Sequence, residues 1–350
     1  MSGETMPTIR IIAGLVWLGL QTVTTALAQT ATPAEFIFQG KTIYILVGFQ
    51  APGGYDLYAR VLAQFLGRHI PGQPNVIVQN MPGAGGLRAA RILASVAPKD
   101  GTVLGMLPQT LPFDTVLGYT PDIDSGAFNW IGRMATNVDV GVTLKQSGIT
   151  SIETARNREI SVGGTGGTAS STAIPFLLNK LAGTRFKLIA GYMGANEVLL
   201  AMERGEVEML GATGFSTIVA EHGAWLRDRT VSLIYQSALT RHAGIPDVPT
   251  IGELGTGSDE KQILDLLAAG SAIGRALIAP PGLPMERLAV LRRALAATLA
   301  DPEMLAYATR YSLALDVASG DELSAIVRKM LATPKPVVAK AREILESRKR

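Results

Sequence analysis

The sequence predicts an α/β protein of two lobes built on parallel-rich sheets, and three observations carry that prediction. Short β-branched and apolar runs alternate with stretches of helical periodicity, the pattern of repeated β-α-β units. A polar, glycine-rich passage at 118–129 interrupts the alternation, which then resumes, so one chain holds two α/β sets. Of 350 residues, 47% are hydrophobic and 17% charged, enough apolar side chain for two cores, while 38 glycines and 19 prolines demand many turns rather than long bundled helices.

The first unit starts with TIYILV at 42–47, a buried strand ended by Gly48. Residues 50–55 carry the Pro and Gly of a tight turn, and from Asp56 onward Leu57, Val61, Leu62, Phe65 and Leu66 recur at helical spacing until Gly67. A strand at 75–79, a glycine loop at 82–86 and a helix at 87–96 repeat the unit, and a third strand is expected at 102–107. Segments 130–134 and 138–143 read as an extended connection leaving the first lobe. The second set comprises strand 159–162, loop 163–168, helix 171–181, strand 187–190, helix 197–204 and strand 207–210. Helices at 284–299, after Asp301-Pro302 and at 320–331 are expected to cover the first sheet, Asp301 as an N-cap and Pro302 in a first turn. The lobes are therefore expected over 29–138 plus 236–350, a discontinuous domain, and over 139–235.

The N-terminus reads as a signal peptide over 1–28: Arg10, an apolar run at 11–20, a more polar 21–25, and Ala26-Leu27-Ala28 before Gln29. The run is too short for a membrane span, which needs about 20 apolar residues. A periplasmic protein cleaved after Ala28 is expected. Thirty-two Lys/Arg against 29 Asp/Glu leaves +3, too little to predict nucleic-acid binding.

Little supports catalysis. The absence of cysteine removes disulfides, thiolate metal sites and cysteine nucleophiles. His69, His222 and His242 lie in separate stretches without metal-ligand spacing, and Gly214-Phe215-Ser216 is followed by Thr217 and Ile218 rather than completing a nucleophile elbow. Residues 164–169 satisfy the relaxed dinucleotide pattern G-x-G-x-x-A, but no acid that would hold a ribose occurs between Glu159 and Glu197. A secreted dinucleotide-dependent oxidoreductase is the alternative to a binding protein without cofactor, metal or enzymatic activity.

The two glycine loops are the candidate site. Each stands between the end of a strand and the start of a helix, where unpaired N–H groups and the helix dipole favour an anion and glycine permits close approach. Gly53, Gly54, Tyr55 and Asp56 form one half, and Gly163, Gly164, Thr165, Gly166, Gly167 and Thr168 the other. Thr165, Thr168, Ser170 and Ser171 offer hydroxyls, and Tyr55 a ring and a phenol. Neither loop contains Arg or Lys, so backbone dipoles are expected to do most of the binding of a small carboxylate. Either loop alone is explained by turn geometry; facing each other they make a clamp. Asp56 is open between a ligand contact and a helix N-cap.

From these loops outward the chain resembles the substrate-binding proteins of tripartite tricarboxylate transporters, the Bug or TctC family. Residues 48–60, GFQAPGGYDLYAR, are similar to that family's F-P-P-G-G-G-T-D-x-x-A-R segment, and NMPGAGG at 80–86 to its N-R-P-G-A-G-G. PKDGT at 98–102, the loop at 163–168, PDVPTIGEL at 246–254 and APPGLP at 279–284 follow in order. The resemblance implies a two-lobed, Venus-flytrap periplasmic-binding-protein fold of type II-like form. It further implies a monomer that closes on a small carboxylate and delivers it to membrane permease subunits. Ala51-Pro52 replaces the usual Pro-Gly, Ser171-Thr172 the usual His-Leu, and 191–194, GYMG, the usual P-Y-K-G, marking a divergent member.

Overall fold

The computed structural model describes Met1, Gly3 and residues 37–166 and 169–346. The expected leader at 1–28 thus falls, except for its first and third residues, outside the described part. The elements follow as β1 (Thr42–Val47), α1 (Gly54–Leu66), β2 (Asn75–Asn80), α2 (Leu87–Arg91), β3 (Val103–Met106), α3 (Leu111–Val116), β4 (Asn129–Arg133) and β5 (Asp139–Leu144). Next come α4 (Ile152–Asn157), β6 (Ile160–Gly164), α5 (Ser170–Leu181), β7 (Phe186–Ala190), α6 (Ala195–Glu203), β8 (Met209–Gly214), α7 (Phe215–Arg227) and β9 (Val231–Ser237). The chain ends with α8 (Ser258–Ala268), β10 (Ala276–Ala279), α9 (Met285–Leu299), α10 (Pro302–Arg310), β11 (Ala318–Ser319), α11 (Gly320–Leu331) and α12 (Lys335–Glu346).

Two sheets result, ordered β11-β4-β10-β3-β1-β2 and β7-β6-β8-β5-β9. The β-α-β units supply parallel pairs: β1 with β2 and β3, and β6 with β7 and β8. The strands that carry the chain from one sheet to the other run antiparallel, β10 to β3 and β4, and β5 to β8 and β9. The stretch expected to be a plain extended connection is therefore two strands, β4 in one sheet and β5 in the other. Extended backbone at this depth completes its hydrogen bonds by pairing with a ladder.

β1 is covered on one face at its start and on both at its end: Ile43, Ile45, Leu46 and Val47 are buried while Tyr44 is exposed. α1 lays Leu62, Phe65 and Leu66 on that sheet beside Leu288, Leu291 and Leu295 of α9. Asp301 caps α10 by accepting the Glu303 N–H at 2.8 Å, with Pro302 at the first helical position. Ser319 and Glu322 close a capping box at α11. α12 is held against α8, Lys340 reaching Asp259 at 3.1 Å and Glu260 at 3.0 Å.

Candidate functional site

The first loop is built from its backbone outward. Gly48 leaves β1 where a Cβ would stand 2.8 Å from the Cα of Gly86, so two loops of the same sheet can touch only without side chains. Asn80, at the end of β2, donates to the Phe49 carbonyl at 2.9 Å and accepts from Arg60 at 3.1 Å. Arg60 in turn donates to Asp56 at 2.8 Å. Asp56 is neither the N-cap nor a cavity residue: α1 begins two residues before it, Gly53 takes the cap position, and the buried carboxylate faces Arg60 one turn on. The loop then meets the start of α6, where Asn196 donates to the Pro52 carbonyl at 3.1 Å.

Behind this loop lies a cavity of about 620 Å³, measured out to its mouth. Four helices begin on its wall: α1 at Gly53 and Gly54, α5 at Ser170, α6 at Gly194 and Ala195, and α7 at Gly214. They run 13, 12, 9 and 13 residues, and no side chain caps any of them. Each uncapped terminus carries about half a positive charge in unpaired N–H groups. Sequence analysis anticipated two such ends.

A buried polar network lines the same cavity. Arg275, which immediately precedes β10 and is 2% exposed, lays its guanidinium 3.9 Å from the centre of the Tyr55 ring and donates through Nη2 to Asn137 at 2.8 Å. Asn137 donates to Asp139 at 2.7 Å and to Gln109 at 2.9 Å, and Gln109 donates to the other oxygen of Asp139 at 2.9 Å. Burial pushes the Asp139 carboxyl above the usual aspartate range, against the pull of Ser170, Arg275 and the two amides. Burial likewise raises the Tyr55 phenol, opposed by Arg275. The phenol oxygen accepts the Gln109 N–H at 2.9 Å, and the ring stacks on Phe49 at 4.8 Å.

The second loop is organised differently. The Thr165 N–H donates to the Ser171 hydroxyl and the Gly166 N–H to the Thr172 hydroxyl, both at 3.0 Å, while the Thr165 and Ser171 hydroxyls pair with each other at 3.0 Å. Donors expected to face a ligand are occupied by the first turn of α5. Thr165 lines the cavity, whereas Gly163 packs under Val198 and Tyr192, and Gly164 under Ser171 and Thr172. Gly166 faces Gly85, whose φ of +67° admits glycine and whose Cβ would stand 2.7 Å from the Gly166 carbonyl. Gly167 and Thr168 lie outside the described residues.

Of the expected residues, the structure thus brings Gly53, Gly54, Tyr55 and Thr165 to one cavity, with Ser170 and Ser171 from the hydroxyl set. Sequence reasoning missed Arg275, Asp139, Gln109 and the supporting Asn137. A signal was present: Arg275 and Asp139 are lone charges within otherwise apolar runs, SAIGRALIA and VDVGV, where a charge is expensive unless a site needs it.

The model of the tripartite tricarboxylate transporter family receptor, TctC, matches residues 58–342. A UPF0065 protein from the gbd 5′ region of Cupriavidus necator is 30% identical over 266 residues, 71% of this chain and 76% of that one. Among solved structures, the periplasmic binding protein BugD superposes with a TM-score of 0.68 at 20% identity, covering 89% of this chain and 98% of its own. MatC from Rhodopseudomonas palustris, solved with bound malate, gives 0.65 at 20% identity over 88% and 99% of the two chains.

Proposed function

Because this chain belongs to the tripartite tricarboxylate transporter receptor family, we propose that it is an extracytoplasmic receptor whose cavity between β1, β5, β6 and β8 binds a small organic carboxylate. Receptors of this family bind small carboxylates, act with membrane components of a transporter and are periplasmic. Among the described residues no helix is long and apolar enough to cross a membrane. One observation carries the reading: four uncapped helix N-termini and a buried arginine open onto one cavity, an arrangement of donors that stabilises an anion.

In this reading the lobes are 29–138 plus 236–350 and 139–235, supported by the division of strands between the sheets, β9 alone straddling a boundary. Gly53, Gly54 and Tyr55 hold the ligand from one side, and Thr165 and Ser170 from the other. The anion bridges both, so its binding energy favours the closed arrangement. The protein is exported as a monomer after cleavage behind Ala28, hands its ligand to a permease and performs no chemistry. A dinucleotide enzyme fits less well, since its phosphates need the loop N–H groups that Ser171 and Thr172 occupy.

The test is thermal melting of the purified protein with mono-, di- and tricarboxylates, amino acids and NAD. A ligand at about 100 times its Kd adds roughly 2.7 kcal/mol, a shift of several degrees. A shift with a carboxylate is expected. A shift with NAD alone supports the oxidoreductase. No shift, with no carboxylate released on denaturing the protein for mass spectrometry, overturns the receptor.

A further inference from the structure

The first loop and the start of α6 join the two sheets along one edge of the cavity. Residues 50–52 follow β1 of one sheet, and residues 193–196 follow β7 of the other. The Gln50 N–H donates to the Met193 carbonyl at 3.4 Å, and Asn196 Nδ2 donates to the Pro52 carbonyl at 3.1 Å. On its own side the 193–196 strip is braced by Glu197, which accepts the Met193 N–H at 2.8 Å. Asn196 thus supplies a side-chain bond to a contact that is otherwise backbone on backbone.

The wall is thin at this strip. Gln50, Gly53, Gly194 and Ala195 line the cavity, and of all its lining residues Gln50 is the most exposed to solvent. Pro52 and Met193 are exposed beside it. The polar wall of Gln109, Thr110, Asp139 and Arg275 is buried. A molecule leaving between residues 50–52 and 193–196 has one residue to pass and two hydrogen bonds to break, one of them long. A solvent-exposed bond of this kind shifts an equilibrium by a factor of about 3–10, enough to favour a shut strip and too little to forbid its opening.

We propose that this strip is the gate of the cavity and that Asn196 is its latch, a positioning residue that acts by holding the two loops together. That a carboxylate passes the gate rests on the receptor reading, so the first test needs no ligand. The chain has no cysteine, and Ala212→Cys places a single thiol on the cavity wall. Its rate of labelling by 2-sulfonatoethyl methanethiosulfonate reads how often the cavity opens. Adding Asn196→Ala is expected to raise that rate by about 3–10-fold, and Asn196→Gln, which keeps the donor on a longer arm, by less. Asp56→Asn, which weakens a bond within the first loop, is expected to leave it unchanged. An unchanged rate in Asn196→Ala, or an equal rise in Asp56→Asn, overturns the latch.

A second variant locks the strip. A Cβ on Gly194 would stand 3.8 Å from that of Gln50, within disulfide range, and the Gly194 backbone is extended at φ −166°, open to any residue. Gln50→Cys/Gly194→Cys is expected to form a disulfide, and failure to form one overturns the gate. Melting with succinate, malate and citrate is then compared in its oxidised and reduced forms. A carboxylate-induced shift that is lost on oxidation and restored by reductant is expected. The same shift in both forms overturns the gate and leaves the receptor standing. No shift in either form or in the wild type removes the receptor reading, while the labelling rates still decide the gate.

Discussion

The loops at 48–56 and 163–169 share one chain pattern, strand, glycines, helix, yet they dispose of their polar groups in opposite ways. In the first, glycines line the cavity, the start of α1 is uncapped, and the side chains that brace it, Asp56, Arg60 and Asn80, bond to each other and to a carbonyl away from the cavity. In the second, two N–H groups are taken by hydroxyls one turn into α5, and Gly166 presses toward Gly85 of the other half. The first presents its backbone to the cavity; the second is a self-satisfied turn that reaches the cavity through Thr165 and the start of α5. Glycine content alone does not make an anion site. What matters is whether nearby hydroxyls fold back to occupy the donors.

The contrast breaks most visibly at the glycines. Gly54→Val would drive its side chain into Thr217 and onto Arg275 Nη2, and it is expected to weaken carboxylate binding by about 100-fold or more. Gly166→Val meets nothing nearer than 3.9 Å, but its φ of +81° is strained, so a stability loss of about 1–2 kcal/mol with less than about tenfold loss of affinity is expected. Calorimetry and melting of both variants check the order, and a reversal would end the comparison.

Removing the hydroxyls that occupy the second loop sharpens it. Ser171→Ala and Thr172→Val should each cost about 1–2 kcal/mol in urea unfolding by orphaning an N–H, with affinity changed by less than about threefold. Collapse of binding at unchanged stability would show instead that these hydroxyls serve the ligand. Asp56→Asn is smaller still. Its partner Arg60 is half exposed, so about 0.5–1 kcal/mol is expected in the same assay, with binding unchanged.

The smallest effect lies under the first loop, in a side pocket where His222 stacks on Trp225 at 4.0 Å with Nε2 buried and unpartnered. Burial lowers the His222 pKa below the usual histidine value. Its depressed folded value means that stability is full above the ordinary pKa and is lost as pH falls through the folded one. His222→Gln should flatten the fall in melting temperature between about pH 7 and about pH 5 relative to wild type. An equally steep fall in the variant would place the acid sensitivity elsewhere.

The core elements were legible because their signals are local. TIYILV reads as β1 to the residue, and Asp301-Pro302 marks the start of α10, since a short β-branched apolar run and a helix cap involve neighbours in sequence. α7 was missed where His222 leaves helical geometry and Gly223 follows, breaking the apolar spacing. β10 was missed because four residues, all buried, carry no period. Asp56 stays open between two roles in the sequence because the helical spacing is legible only from Asp56 onward; α1 starts at Gly54, which puts Gly53 at the cap and the Asp56 carboxylate on Arg60.

By itself, then, the sequence determined the α/β class, the succession of units and the two glycine loops, since each depends on periodicity, turn chemistry and residue size within a short window. Only the tertiary structure decided that α6 and α7 add their N-termini to the site, that hydroxyls occupy the second loop, and that Arg275, over 200 residues from Tyr55 in sequence, stacks on its ring. Charge acts through space, and a desolvated guanidinium takes its meaning from groups that the chain brings together only by crossing between two sheets.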